Sequence, residues 1–138
     1  MSVRKIVVLI SGCVLAGGLG SAAAAHHSFS AEYDRDQPVT ITGKVTSLEW
    51  TNPHARLYVE AVDADGETVV WNLELGPPNG LMRQGWRRDS LVAGTVVTVD
   101  GFRSRTEEHV ATARTVKLSD GREVFTGKAF DTTKPAKE

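Results

Sequence analysis

Four histidines, His26, His27, His54 and His109, are the side chains best suited to metal chemistry in this 138-residue chain. His26 and His27 are adjacent, and His54 closes the segment Trp50-Thr51-Asn52-Pro53-His54. Imidazoles on a chain end and on a turn leave coordination positions open, which suits copper(II) or another late divalent cation. The one cysteine, Cys13, supplies no thiolate set, and the histidine spacing matches no closed zinc signature. The expected metal ligands are therefore His26, His27 and His54, with His109 left unassigned in a charged loop. Glu49 and Glu74 lie in strand-like segments near Trp50 and Trp71, where a carboxylate can orient an imidazole or complete a metal shell. Together with Trp50 and Trp86 they form the expected ligand-binding set. Asp63, Asp65 and Asp120 sit beside glycines and read as turn formers. No serine stands in a nucleophile elbow, no glycine run matches a phosphate loop, and no calcium loop is complete. The sequence names no catalytic residues, and the reading is of a protein that binds rather than one that catalyses.

The availability of His26 depends on how the chain begins. Residues 1–25 run from MSVRK through an apolar, glycine-diluted stretch to SAAAA, the layout of a secretory signal peptide. Cleavage after Ala25 makes His26 the first residue, so its amine and ring can chelate together. Cleavage after Ala24 puts histidine second, after Ala25, and His27 third, where amine, amides and imidazole form a square-planar nitrogen set. A competing lipobox at Ile10-Ser11-Gly12-Cys13 would make a lipoprotein and remove that free amine. The expectation is a periplasmic or secreted protein with no stable membrane insertion after cleavage.

Arg4 and Lys5 are the only charged residues in that leader, so of 16 Lys and Arg the remaining 113 residues keep 14, against 17 Asp and Glu. This is one small domain, and its slight acidity excludes a dedicated nucleic-acid binder.

The elements that must position these side chains follow from period-two patterning. Residues 26–37 are expected to form an extended arm tacked down by Phe29 and Tyr33, followed by a domain over 38–130 and a disordered tail over 131–138. Val39, Ile41, Gly43 and Val45 share one face of a first strand, and the alternation slips at Ser47-Leu48, predicting a bulge or coil. Ala55 to Val62 and Thr68 to Leu75 alternate likewise around the turn Asp63-Ala64-Asp65-Gly66, making a three-stranded meander. After Gly76-Pro77-Pro78-Asn79-Gly80, a short helix is expected over Leu81 to Trp86. Strands at Thr95 to Phe102 and Val110 to Leu118 follow, with a short edge strand near Glu123. Three meander strands, a helical connector and two further strands are the element order of an all-β, OB-like, five-stranded Greek-key barrel with a short helical connector between strands 3 and 4.

Four segments carry a family resemblance: Ala25-His26-His27-Ser28-Phe29, Glu49-Trp50-Thr51-Asn52-Pro53-His54, Trp71-Asn72-Leu73-Glu74-Leu75-Gly76 and Gly85-Trp86-Arg87-Arg88-Asp89-Ser90-Leu91. Together they resemble the exported bacterial domain-of-unknown-function family 6152, over roughly residues 26–127. The resemblance implies an envelope location and a small β-rich domain, and no activity. The functional expectation is a soluble periplasmic binding or accessory protein that takes copper or another divalent metal through its histidines. The alternative is a metal-independent module that binds an envelope protein or small ligand.

Overall fold

The computed structural model describes residues 29–127. A helical turn over residues 29–32 leads into six strands and one short helix: β1 (Tyr33–Glu49), β2 (Arg56–Val62), β3 (Thr68–Glu74), α1 (Pro78–Arg83), β4 (Val96–Ser104), β5 (Val110–Leu118) and β6 (Glu123–Thr126). Hydrogen bonding runs in the order β3-β2-β1-β4-β5-β6, and a parallel pairing of β3 with β5 closes the first five into a barrel-like ring. All other neighbours are antiparallel. This is the OB-like, all-β arrangement that the element order implied, with β6 added at an edge.

Strand β1 makes the ring possible because it pairs on both sides. Residues up to Lys44 bond to β4, and those from Lys44 to Glu49 bond to β2. The register slips between Val45 and Ser47, so Thr46 is an extra residue that inverts the alternation. Ile41 and Val45 face the interior before the slip, and Leu48 and Trp50 pack against the core after it. Gly43 lies where the strand passes from one partner to the other. A Cβ there would collide with the Glu60 carbonyl and the Val59 side chain, so only glycine allows β2 so close.

The strand begins at Tyr33, five residues before the alternating pattern does, which takes residues 33–37 out of the expected extended arm. Main-chain pairing of Tyr33 with Ser104 and the Arg105 N–H bond to the Glu32 carbonyl hold this polar stretch on β4 without a hydrophobic face. The helix likewise starts earlier than its apolar residues suggest. Pro78 takes an N-terminal helical position, where its fixed φ helps and its missing N–H costs nothing, and Gly85 at φ 90° follows its end.

Leu57, Val59, Leu73, Val97, Val99 and Val116 fill the interior, and Leu81, Trp86 and Leu91 from the β3–β4 connection join the same core. The Trp86 indole N–H donates to the Val124 carbonyl at 2.7 Å, and its ring meets Phe125 edge-on. Outside the ring, Asp100 accepts from Thr40 and Thr115 and stitches β1, β4 and β5 together.

Gly43→Ala is expected to cost at least about 2 kcal/mol, because the obstacle is backbone on the neighbouring strand. A urea unfolding midpoint equal to that of the parent would contradict this account of the crossing.

Candidate functional site

The inward residues of β3 are Trp71 and Leu73, so Asn72 and Glu74 belong to the opposite, outer face of the ring. Glu74 is nevertheless only 5% exposed. A carboxylate removed from water must be met by donors, and three segments supply them. The Tyr33 hydroxyl donates to Oε2 at 2.8 Å, an Arg56 guanidinium nitrogen reaches the same oxygen at 3.3 Å, and His54 Nδ1 lies 3.1 Å from Oε1. Arg56 also donates to the Asn72 side-chain oxygen at 3.2 Å, which holds the guanidinium flat across the β2–β3 ladder.

His54 stands at the end of the turn that links β1 to β2. The Ala55 N–H bonds to the Gly76 carbonyl and the Leu75 N–H to the Ala55 carbonyl, so the residue after His54 is fastened to the end of β3. That fastening brings the imidazole to Glu74. A neutral imidazole that donates from Nδ1 carries its lone pair on Nε2. The side chain is 35% exposed, and the pair has the form of a carboxylate-oriented histidine, the arrangement that fixes ring orientation and raises ligand basicity at metal centres.

The amino-terminal segment covers this cluster. Phe29 packs on Tyr33 with ring centroids 5.6 Å apart, and the Arg35 guanidinium lies over the Phe29 ring. Arg105 fastens the segment from the β4–β5 loop by donating to the Ser30 carbonyl and pairing with Asp34. Burial, followed by the neighbouring Glu74 charge and the hydrogen bond to it, holds the Tyr33 phenol far above its ordinary value. Thr112 is the register partner of Glu74 on β5, and its hydroxyl is buried without a hydrogen-bond partner among the described residues.

The remaining residues singled out in the sequence fall elsewhere. Glu49 ends β1 and accepts from the Tyr58 hydroxyl at 3.0 Å; Trp50 is half-buried against the core; Trp86 is 3% exposed within it. Burial and the Glu49 hydrogen bond also raise the Tyr58 phenol. The His109 ring packs nearly perpendicular to Trp71 instead of joining His54. His26 and His27 lie outside the described residues, as do Cys13, the leader and the tail. Among the described residues, no three His, Cys, Asp or Glu side chains gather to hold a metal ion, and no helix is long and apolar enough to cross a membrane. Sequence reasoning missed Tyr33 and Arg56. The available signal was Glu74 itself, an acid set between Leu73 and Leu75 in a strand that reads as buried, and so in need of donors.

Both tyrosines in the chain have raised values, and the sign of the pH effect follows. Above about pH 10 the unfolded chain loses phenolic protons that the folded chain keeps, so stability is full below that pH and falls as it rises further. Thermal midpoints measured across the alkaline range should drop, with a shallower drop in Tyr33→Phe. In Tyr58→Phe, which leaves Tyr33 as the one tyrosine, a phenolate absorbance step at the ordinary tyrosine value in the folded protein would contradict the Tyr33–Glu74 contact.

Comparison with curated proteins returns no match. The model of a family of unknown function, DUF6152, matches residues 14–113, which include β1 to β3, α1, β4, His54, Glu74 and Tyr33. That span is most of the chain, and the protein belongs to the DUF6152 family.

Proposed function

We propose that this protein is a soluble periplasmic binding or accessory module that takes copper(II) or another late divalent cation at His54, with His26 and His27 as the other ligands. The observation that carries the reading is the His54 Nδ1 contact with buried Glu74, which leaves Nε2 as the ligand atom. Glu74 already meets Arg56 and Tyr33, so it serves as the orienting carboxylate and not as a ligand. Among the described residues no three His, Cys, Asp or Glu side chains gather, and on this reading the other nitrogen atoms come from the preceding segment. Chain connectivity supports this source. His27 precedes Phe29 by two residues, a reach of at most about 7 Å, and Phe29 packs on the tyrosine that bonds Glu74. The leader-like residues 1–25 support export, and release at Ala24 or Ala25 adds an amine to the ligand set.

The alternative, a metal-independent module using Trp50, Glu49, Glu74 and Trp86, has less in its favour. Leu81 and Trp86 are taken up by the core, which leaves Met82 and Val92 as the exposed large apolar residues of the β3–β4 connection.

Copper(II) titration of processed protein, its amino terminus fixed by intact mass, should give near-stoichiometric uptake with Kd below roughly 10 μM, where 1 μM corresponds to about 8 kcal/mol. His54→Ala should abolish the tight phase. Glu74→Gln, which keeps the shape but not the charge, should weaken it about 10- to 100-fold. Absence of binding in that range, or full retention in His54→Ala, removes the metal reading.

A further inference from the structure

The ring has a second feature, at the hairpin-tip end of the β2–β3 ladder, away from Glu74. There a cleft of about 310 Å³ opens between the β2–β3 turn and the first half of β1. Its size is at the small end of ligand sites, and the mouth of a barrel is a usual place for one. Ile41 and Trp71 form its floor from the barrel interior, Asp63 and Asp65 lie on the turn side, and Arg103 and His109 lie on the β4–β5 side.

Arg103 is out of keeping with its place in the strand. Val97, Val99 and Gly101 are the inward positions of β4, and Arg103 continues that parity past the end of the core. Its guanidinium lies 4.9 Å from the centroid of the Trp71 ring and makes no ion pair among the described residues. The Trp71 ring thus supports the cation while its N–H groups find no hydrogen-bond acceptor among the described residues. The His109 ring stands nearly perpendicular to the same indole, with centroids 5.3 Å apart. It is the one non-glycine residue of positive φ among those described, at 53°, and the Asn72 N–H bond to its carbonyl holds it where β5 joins β3. An imidazole carries at least one N–H in either protonation state. A guanidinium and an imidazole supported on one aromatic ring above an apolar floor make a receptor for an anionic head on an apolar body.

The opposite wall sets the charge such a ligand can carry. Asp63 gives one oxygen to the Asp65 and Glu67 N–H groups, and the Asp65 carboxylate has no partner among the described residues. Two acids on that side disfavour negative charge on the end of a ligand nearest them, so the anionic group belongs at the Arg103 and His109 side. We infer that this cleft is a binding site for a small organic monocarboxylate with a compact apolar body, its carboxylate on Arg103 and His109 and its body against Trp71 and Ile41.

The test uses 3-phenylpropionate as probe with the chelator-treated full mature chain, followed by NMR cross-peaks of the Trp71 indole and His109 ring. Saturable shifts of both groups are expected, with Kd at least tenfold weaker in Arg103→Gln and partly recovered in Arg103→Lys. Phenylsuccinate, with a second carboxylate, and inorganic phosphate should both bind at least tenfold more weakly than the probe. No saturation by about 10 mM, a threshold near 3 kcal/mol, overturns the site. So does an unchanged Kd in Arg103→Gln, and equal or tighter binding of phenylsuccinate overturns the selection of a single charge.

Discussion

A carboxylate taken out of water needs donors close at hand, and meeting that need at Glu74 organises one whole side of this protein. The donors come from three places that are distant in sequence: Tyr33 at the start of β1, His54 in the β1–β2 turn and Arg56 on β2. Removing any one of them leaves a buried charge less well compensated, a cost much larger than that of a surface pair. The cluster therefore acts as a fastening for the amino-terminal segment and as a support for one imidazole. The bond that anchors the ring of His54 also decides which nitrogen faces outward.

The ring supplies the framework for both candidate sites. The slip at Thr46 changes which residues of β1 point inward, so Trp50 reaches the core and the following turn can bring His54 back to the end of β3. Closure of β3 on β5 brings Thr112 beside Glu74 and packs His109 nearly perpendicular to Trp71. The same pairing thus places residues at the outer carboxylate cluster and at the barrel mouth.

Much of the architecture was legible because it rests on period-two patterning. The interior faces of β1 to β3, the slip in β1 and the turn at Asp63-Gly66 all follow from alternation and turn chemistry, whereas in β5 a register shift opposite Asp100 and Gly101 breaks the alternation. The start of β1 was not legible, since residues 33–37 are polar and are held by main-chain bonds and by Arg105. The helix start was missed because the apolar residues mark its second half, whereas Pro78 marks its first. For the site, the pattern made Glu74 and His54 worth noting separately. Their contact depends on the Ala55 hydrogen bonds to Leu75 and Gly76, and no local pattern encodes it. Tyr33 and Arg103 illustrate the same limit, since each acquires its meaning from a neighbour remote in the chain.

The two-sided pairing of β1 also orders events in time. Its β2 side can form as soon as the nearby hairpin exists, but its β4 side requires segments some 60 residues apart, such as Thr40 and Asp100, to meet. Ring closure must await Thr112, which lies beyond β4. Until then the meander exposes an unpaired edge and an uncovered apolar face. A topology dominated by such non-local pairs folds slowly, on the order of milliseconds to seconds.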